Sequence, residues 1–128
     1  MSINLYCYRA IVTSVYDGDT CTVDIDLGLK TWVHGEKLRL NRIDTPELRG
    51  NEREEGLVAR DYLRELIDGK EVILQTVSDK AGKYGRYLAE IWKMNSDGSW
   101  LNINDHLIQE GYAKYYNDTP KSVEVDLN

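Results

Sequence analysis

The chain contains the stretch RLNRIDTPE at residues 39–47, and the rest of the sequence is organised around it. Two arginines, two carboxylates and a proline fall at the end of a strand-like run, a density of opposed charge that a structural strand does not need. Because Pro46 fixes its own φ and moves Thr45 out of the helical region, the chain is expected to turn here in an extended form. The Thr45 carbonyl and the carboxylates of Asp44 and Glu47 then point outward.

These groups suit two kinds of ligand. Oxygen atoms held on a stiff turn are the ligands that a hard cation such as Ca²⁺ or Mg²⁺ prefers. The planar guanidinium of a neighbouring arginine can donate two parallel hydrogen bonds to the oxygens of a phosphate. Together they favour a metal-assisted reaction on a phosphate ester.

Strand patterns lie on both sides of this stretch. The predicted strands, rich in β-branched and aromatic residues, are 6–16, 21–27, 36–43, 71–77 and 86–93. Apolar and polar residues alternate from Cys21 to Leu27, which predicts one buried face that includes Leu27. Residues 28–35 are predicted to bridge to the third strand, which delivers the central stretch.

Helical spacing appears in two places. Apolar residues recur every three or four positions across residues 54–67, which predicts a helix with Val58 on its inner side and Gly56 as a weak point in its first turn. A second helix is predicted over residues 103–110, with Asn102 as its cap. The elements predict a small α+β domain whose strands close into a five-stranded, partly open barrel, because closure removes exposed strand edges.

Length and composition are those of one globular domain. The chain has 128 residues, 41% of them hydrophobic and 30% charged. No apolar run approaches the ~18 residues of a membrane span and no secretory signal is visible, so we expect a cytoplasmic monomer without membrane contact; a secreted mature form is the alternative. Residues 1–116 are assigned to the domain and residues 117–128 to an acidic, disordered tail. Cys7 and Cys21 are expected to be reduced.

The net charge of −6 opposes binding to a polyanion, because affinity for nucleic acid comes mainly from Lys and Arg. The charge distribution is uneven. Residues 31–60 hold six basic and six acidic side chains, whereas residues 91–128 hold three basic and six acidic ones. We therefore expect a locally positive cleft, and binding to long nucleic acid that is weak and salt-sensitive.

A second motif, DGD at residues 17–19, contains two further carboxylates. Taken alone, Asp-Gly is a common turn sequence. Asp17 and Asp19 gain a functional interpretation because they can join Asp44 around one cation. Arg39, taken alone, can be a solvated strand residue, but the carboxylates that follow it favour a phosphate site.

A third motif, KYGR at residues 83–86, can be a loop whose glycine adopts a positive φ. Its functional interpretation is a nucleotide site, since Arg86 adds a second guanidinium and Tyr84 an aromatic face. Structural positions are favoured for the other aromatic residues, and contact of Tyr115 or Tyr116 with the nucleotide is left open. These aromatic residues are Tyr112, Tyr115 and Tyr116 as core or surface residues, His34 and His106 without visible partners or an assigned role, and Trp32, Trp92 and Trp100 as core or strand-packing residues.

In this order around a single helix, the motifs at residues 17–20, 39–47 and 83–86 resemble those of the staphylococcal nuclease family. The resemblance covers roughly residues 8–116, and its most specific part is the Arg-x4-Asp-Thr-Pro-Glu piece. It implies an OB-fold-type five-stranded β-barrel with two to three packed α-helices. It also implies a Ca²⁺-dependent phosphodiesterase, with Mg²⁺ the less favoured ion, that cleaves DNA and RNA and leaves 3′-phosphates.

The resemblance implies a metal site built from four residues. Asp19 and Asp44 would be direct Ca²⁺ ligands, with the Thr45 carbonyl as a third and waters completing the shell. Asp17 would support the metal indirectly, behind these ligands.

The resemblance also implies a phosphate site. Arg39 and Arg86 would contact the scissile phosphate, and Glu47 would position or deprotonate the attacking water. Lys83 and Tyr84 would lie beside the nucleotide.

The sequence departs from the family pattern in five places. Gly82 precedes Lys83 where an acidic residue is familiar, and Tyr115 and Tyr116 are out of register with the family's nucleotide-contacting tyrosines. The connection between Asp19 and Arg39 is longer than in the best-known member, the loop after Glu47 is shorter, and an acidic tail replaces a basic extension. Two other functions therefore stay open: a noncatalytic module that binds nucleic acid or protein, and a phosphodiesterase for small nucleotides. Glu47 argues against the binding module, which has no evident use for it.

Overall fold

In the computed structural model, five strands form a barrel against which two helices pack. The structure describes residues 5–77 and 85–115. In chain order the elements are β1 (Cys7–Asp17), β2 (Thr20–Gly28), β3 (Thr31–Leu40), β4 (Ile43–Asp44), α1 (Arg53–Ile67), β5 (Glu71–Thr76), β6 (Tyr87–Met94), β7 (Trp100–Asn102), α2 (Ile103–Gln109) and β8 (Lys114–Tyr115). The predictions made for Lys83, Tyr84, Tyr116 and the tail at 117–128 lie outside the described residues.

The barrel closes through antiparallel and parallel pairs. Strands β3, β2, β1, β5 and β6 are antiparallel neighbours in that order, and β3 then pairs in parallel with β6, where Arg39 is opposite Leu88. β7 pairs antiparallel with the end of β6, while β4 and β8 form a separate two-stranded antiparallel sheet. This closed, mixed five-stranded barrel with two helices confirms the predicted α+β, OB-fold-type class.

The core fills the barrel and the space beneath the helices. Its fully buried side chains include Val12, Leu38, Leu40, Leu74 and Ile91 from the strands, and Leu63, Ile67, Ile103 and Leu107 from the helices. Burying an aliphatic side chain of this kind contributes about 1.5–3 kcal/mol. Both predicted helices are confirmed, and the Asn102 side chain caps α2 by accepting a hydrogen bond from the Asp105 amide at 2.9 Å.

The third strand differs from its prediction at both ends. It spans Thr31–Leu40 rather than residues 36–43, so residues 28–35 belong to a β-hairpin instead of a bridge. An irregularity near Gly35, whose φ is 74°, shifts the register between β2 and β3 and hides the strand's alternation in the sequence. The strand ends early because Arg42 has a φ of 71°, a left-handed conformation that does not continue a strand.

Two residues predicted to be buried are exposed, so those predictions were wrong. Leu27 is 46% exposed because β2 continues beyond the barrel into the hairpin with β3. Val58 is 55% exposed because the buried face of α1 follows Gly56, Ala59, Leu63 and Ile67, and Val58 lies beside it. Among the described helices, none has the length and apolar character to cross a membrane.

Candidate active site

A cleft of about 950 Å³ lies between α1, the β1–β2 turn and the segment that follows β4. The structure brings seven of the predicted site residues to its walls: Asp17, Asp19, Arg39, Asp44, Thr45, Glu47 and Arg86. They come from separate parts of the chain, since β1, β3 and the start of β6 each supply at least one. The closed barrel is therefore what places these groups together.

Asp19 connects three segments at the floor of the cleft. Its Oδ2 accepts a hydrogen bond from the Thr45 amide at 3.0 Å, and its Oδ1 accepts one from the Thr20 hydroxyl at 3.3 Å. Its carbonyl accepts a hydrogen bond from the Leu40 amide at 2.8 Å. Asp19 thereby fixes the β1–β2 turn to the end of β3 through its carbonyl and to the residues that follow β4 through its buried carboxylate.

Arg39 is held on one side by the backbone and on the other by carboxylates. Its Nη1 donates to the carbonyls of Leu40 and Ile43 at 3.2 and 3.1 Å. Its Nη2 donates to Asp19 Oδ2 at 3.4 Å and to Asp44 Oδ1 at 3.2 Å. The backbone contacts fix the guanidinium at the cleft wall, and a single nitrogen is shared between two acidic groups.

The close approach of carboxylates changes their proton affinity. Burial, together with the neighbouring negative charge of Asp19, raises the pKa of Asp17 to about 6. Burial and Asp19 also raise the pKa of Asp44, although Arg39 opposes that shift. Negative charge is therefore crowded at this end of the cleft, which is the condition that a bound cation relieves.

Two glycines allow the cleft wall to pack closely. A Cβ on Gly56, in the first turn of α1, would lie 2.3 Å from the Glu47 carbonyl oxygen. A Cβ on Gly18 would lie 2.8 Å from Thr45 Oγ1. From the sequence, Gly56 was predicted only to weaken the first turn of the helix. In the structure, its missing side chain lets α1 contact the backbone of Glu47. Glycine inside a helix costs about 1 kcal/mol relative to alanine, so its presence there was the one feature of the sequence that indicated a close backbone contact.

Glu47 is exposed and lines the cleft. Its amide donates a hydrogen bond to Glu52 Oε2 at 3.1 Å, so the backbone is fixed on the side away from the cleft. With Gly56 behind its carbonyl, the residue has a positioned backbone and an accessible carboxylate. This is a suitable arrangement for a group that exchanges protons with water.

Four basic residues that the sequence analysis did not assign to the site also line the cleft: Lys37, Arg49, Arg60 and Arg64. Arg64 is held in place by hydrogen bonds from Nε and Nη2 to the Val15 carbonyl at 3.2 and 3.1 Å. With these residues the lining has six basic and four acidic side chains, so the cleft is locally positive on a protein of net charge −6.

Comparison with known proteins gives this cleft a family context. The family model described as staphylococcal nuclease homologue matches residues 37–126, which is more than half of the chain. The chain belongs to the staphylococcal nuclease family. The matched region includes Arg39, Asp44, Glu47 and Arg86, whereas Asp19 precedes it. This family comprises nucleases and nucleic-acid-binding proteins.

A relative in Methanocaldococcus jannaschii is described as an uncharacterised protein. It is 32% identical over 130 residues, an alignment that covers 85% of this chain and 59% of the relative. The chain thus spans about three-fifths of the length of this relative.

The donor set at the crowded end of the cleft fits the cation on which this nuclease family classically depends. Asp19 and Asp44 both lie within hydrogen-bonding distance of the same Arg39 nitrogen, and Thr45 follows directly in the chain. Oxygen donors of this kind match Ca²⁺. Within the ranges 5–77 and 85–115, no three His, Cys, Asp or Glu side chains are grouped at metal-binding spacing. The fit therefore depends on two carboxylates and a backbone carbonyl.

A buried polar cluster supports the opposite side of the β3–β4 turn, and the sequence analysis did not identify it. Arg42 is 3% exposed, and it donates hydrogen bonds to Glu90 Oε1 at 2.6 Å and Oε2 at 3.0 Å. Its Nη1 lies 2.8 Å from Asp105 Oδ1. Burial alone would lower the pKa of Arg42, but hydrogen bonds to Glu90 and Asp105 more than offset it and raise the pKa. The cluster holds the turn between Arg39 and Asp44 from behind.

The histidines, which were given no partners in the sequence analysis, have them in the structure. His106 Nε2 lies 2.7 Å from the Tyr62 hydroxyl, beneath the stacked rings of Tyr62 and Tyr112. His34 Nδ1 lies 3.2 Å from Asp24 Oδ2. The sequence offers little signal for either contact, because the partners belong to other elements of the fold.

Tyr115 lies behind the site. Its hydroxyl donates to Asp105 Oδ1 at 2.8 Å and its ring lies 5.7 Å from the Arg42 guanidinium carbon. These contacts assign Tyr115 to the buried polar cluster, which agrees with its interpretation as a core residue.

Proposed function

We propose that this protein is a Ca²⁺-dependent phosphodiesterase that hydrolyses DNA, RNA or both. The proposal rests on one observation above all. Two arginines and three carboxylates of the family motif, supplied by distant parts of the chain, line the same cleft: Arg39, Arg86, Asp19, Asp44 and Glu47. A binding module needs the arginines, but it does not need an exposed glutamate beside them.

Arg39 and Arg86 bind the scissile phosphate. A phosphodiester is an anion, and further negative charge collects on its oxygens as water adds to phosphorus. Guanidiniums already held by the protein stabilise that charge without reorganising. The backbone contacts of Arg39 to Leu40 and Ile43 supply this preorganisation for one of the two.

Glu47 accepts a proton from the attacking water. A positioned general base of this kind contributes about 10²- to 10⁴-fold to the rate. Water adds to phosphorus, the bond from phosphorus to the 5′ oxygen breaks, and that oxygen takes up a proton. The products are a 3′-phosphate and a 5′-hydroxyl, the outcome that the family resemblance implies.

Asp19, Asp44 and the Thr45 carbonyl would hold the cation, with Asp17 supporting them. When bound, the ion supplies positive charge opposite the phosphoryl oxygens. Burial, and next to it the charge of Asp19, raises the pKa values of Asp17 and Asp44, and a bound cation would offset the second of these effects.

The test is digestion of single-stranded DNA, duplex DNA and RNA, each with Ca²⁺, Mg²⁺ or a chelator. The Arg86→Ala variant, prepared in the same way, controls for a contaminating nuclease. We expect cleavage that requires Ca²⁺, leaves 3′-phosphates and is lost in the variant. Unchanged kcat in Arg86→Ala, together with loss of cleavage in Glu47→Gln prepared in the same way, would exclude a contaminant and remove Arg86 from the mechanism.

A noncatalytic binding module is the second candidate, favoured by the net charge of −6 and by the salt bridges of Arg39 to both Asp19 and Asp44. Binding of polymers without cleavage under any metal would support it. Turnover of dinucleotides alone, with no effect on polymers, would instead indicate the small-nucleotide phosphodiesterase.

A further inference from the structure

An exposed aromatic pair lies on the β2–β3 hairpin, beyond the cleft. Trp32, which the sequence analysis took for a core or packing residue, is 39% exposed. Its ring is parallel to that of His34, with 8° between the planes and 6.4 Å between the centroids. Single exposed apolar residues are ordinary on protein surfaces, so the exposure of Trp32 alone carries no inference. The parallel pair adds that two aromatic faces are presented together on one face of the strand.

The hairpin itself orients the pair. His34 Nδ1 lies 3.2 Å from Asp24 Oδ2, and Asp24 Oδ1 accepts a hydrogen bond from the Gly35 amide at 3.0 Å. Gly35, with a φ of 74°, is at the irregularity that shifts the register between β2 and β3. The ring of His34 is consequently fixed before any ligand arrives, which lowers the entropy lost on binding.

The pair shares an outer face of the barrel with the cleft. In the β2–β3 ladder, Thr22 is opposite Lys37 and Asp26 is opposite Trp32. Lys37 and Thr22 already line the cleft, so the face continues directly from the cleft to the aromatic pair. At about 3.3 Å per strand residue, Trp32 lies on the order of 20 Å along β3 from Arg39. A single strand of about four or more nucleotides, the shortest length that one OB-fold covers, is long enough to span that distance.

We propose that Trp32 and His34 form a base-stacking platform for single-stranded nucleic acid, which leaves the cleft over Lys37 and places a base on the indole ring. The inference deepens the proposed function by naming single strands of several nucleotides as the substrate class. Every base has a flat face, so stacking on an aromatic ring is tolerant of sequence. Duplex DNA hides those faces and gains nothing from the platform.

Stacking rather than charge is the source of affinity here. The hairpin carries Asp24 and Asp26 on the same face as the pair, with Lys30 in its turn and Lys37 toward the cleft. Asp24 and Asp26 are engaged by amides of the hairpin, at Gly35 and Gly28. The contribution of the platform to binding is therefore insensitive to salt, in contrast to contacts with phosphate.

The test measures binding by fluorescence anisotropy, using a labelled single strand of about 12 nucleotides, a length one OB-fold can cover. A Glu47→Gln background in Ca²⁺ keeps the oligonucleotide whole. Trp32→Leu should weaken binding roughly tenfold, whereas Trp32→Phe, which keeps an aromatic face, should restore most of it. Leu29→Ala, at a 98% exposed position of the same hairpin, is the matched control and should bind as the parent does.

Two further measurements give the proposal distinct signatures. Trp32→Leu should leave dinucleotide and duplex binding unchanged, and should leave the salt dependence of single-strand binding unchanged. Lys37→Ala should make the plot of the logarithm of the single-strand binding constant against the logarithm of salt concentration less steep, by about one unit of slope. Circular dichroism of each variant confirms that the barrel remains folded.

The outcomes separate this inference from the proposed function. Equal single-strand affinity in Trp32→Leu and its parent would overturn the platform, even for an active nuclease. Loss of affinity in Trp32→Leu would support it, even if no metal allowed cleavage. A dimer of the parent that Trp32→Leu dissociates, without any change in oligonucleotide binding, would show instead that the hairpin contacts a second copy of the chain.

Discussion

Arg39 and Arg42 are three residues apart in the chain and lie on opposite sides of the β3–β4 turn. Each of them contacts two carboxylates. Arg39 contacts Asp19 and Asp44 at the edge of the cleft, with one nitrogen at 3.4 and 3.2 Å from the two oxygens. Arg42 contacts Glu90 and Asp105 behind the turn at 2.6–3.0 Å. The residue types are the same, but the surroundings are not.

The buried cluster satisfies its charges internally. Each oxygen of Glu90 accepts two hydrogen bonds, one from Arg42 and one from an asparagine amide, Asn41 for Oε2 and Asn102 for Oε1. In the cleft, by contrast, Asp44 is 53% exposed and shares its Arg39 contact with Asp19. The buried cluster around Arg42, with its short hydrogen bonds, fixes the backbone. The carboxylates around Arg39 share one donor and are open to solvent, so they can exchange that contact for a ligand.

The sharpest way to break this comparison is to disable the open side. Glu47→Gln should reduce kcat by about 10²- to 10⁴-fold, because the amide cannot accept the proton of water. Glu54→Gln, an exposed change in the first turn of α1, is the matched control and should leave kcat unchanged. Steady-state kinetics on single-stranded DNA decide the matter, and equal losses in both variants would contradict a specific role for Glu47.

Disabling the buried side should affect stability. Arg42→Met leaves the Glu90 carboxylate buried beside amides but without its counter-charge, and should lower the free energy of unfolding by about 3–5 kcal/mol. Arg9→Met removes the exposed Arg9–Glu71 ion pair and should change it by less than about 1 kcal/mol. Urea denaturation measures both. A loss of similar size in the two variants would mean that burial does not distinguish these arginines.

Gly56→Ala probes the wall between the two sides. Alanine normally stabilises a helix by about 1 kcal/mol relative to glycine. Here the new Cβ would lie 2.3 Å from the Glu47 carbonyl oxygen, so we expect destabilisation by about 1–3 kcal/mol instead, with a fall in kcat as Glu47 shifts. Stabilisation in the same urea experiment would show that α1 does not constrain Glu47.

The smallest expected effect concerns the ionisation of Asp17 in protein freed of metal by a chelator. Its pKa is raised to about 6 in the folded protein from an ordinary 3.8, so the folded state binds the proton more tightly than the unfolded chain does, and protonation stabilises the fold. That stabilisation is complete below about pH 4 and is lost as pH rises through about 6. Asp17→Asn avoids the loss and should be more stable than the native protein at pH 7.5, by about 1 kcal/mol after allowance for solvent screening. Thermal unfolding at pH 4 and 7.5 tests this, and an equal difference at both pH values would contradict it.

Alternation and helical spacing in the sequence were sufficient to predict the barrel class and both helices. The motifs also singled out seven of the residues that the structure places around the cleft, but not the four further basic residues that line it. Arg42 was beyond prediction because its inward position depends on a left-handed φ and on Glu90, which lies far away in the sequence. The true start of β3 was hidden because an irregularity at Gly35 interrupts the period of two.

Small residues and exposed aromatics were misread for a related reason. Gly56 looked like a defect in a helix until the backbone of Glu47 was found against it. Trp32 looked like a core residue because tryptophan is hydrophobic, but its face of β3 points away from the barrel. Periodicity within one element does not reveal which neighbour, if any, faces each side of that element.

The parallel pairing of β3 with β6, which closes the barrel, determines when the two site arginines come together during synthesis. We call this pairing the parallel seam. Pairing across this seam joins residues that are far apart in the sequence, and long-range contacts of this kind form late because their loop-closure entropy must be overcome first. Arg39 is within the seam and Arg86 immediately precedes it. A growing chain that has not yet emerged as far as β6 therefore has only one of the two guanidiniums. The two guanidiniums proposed to bind the phosphate therefore come together only when the barrel closes.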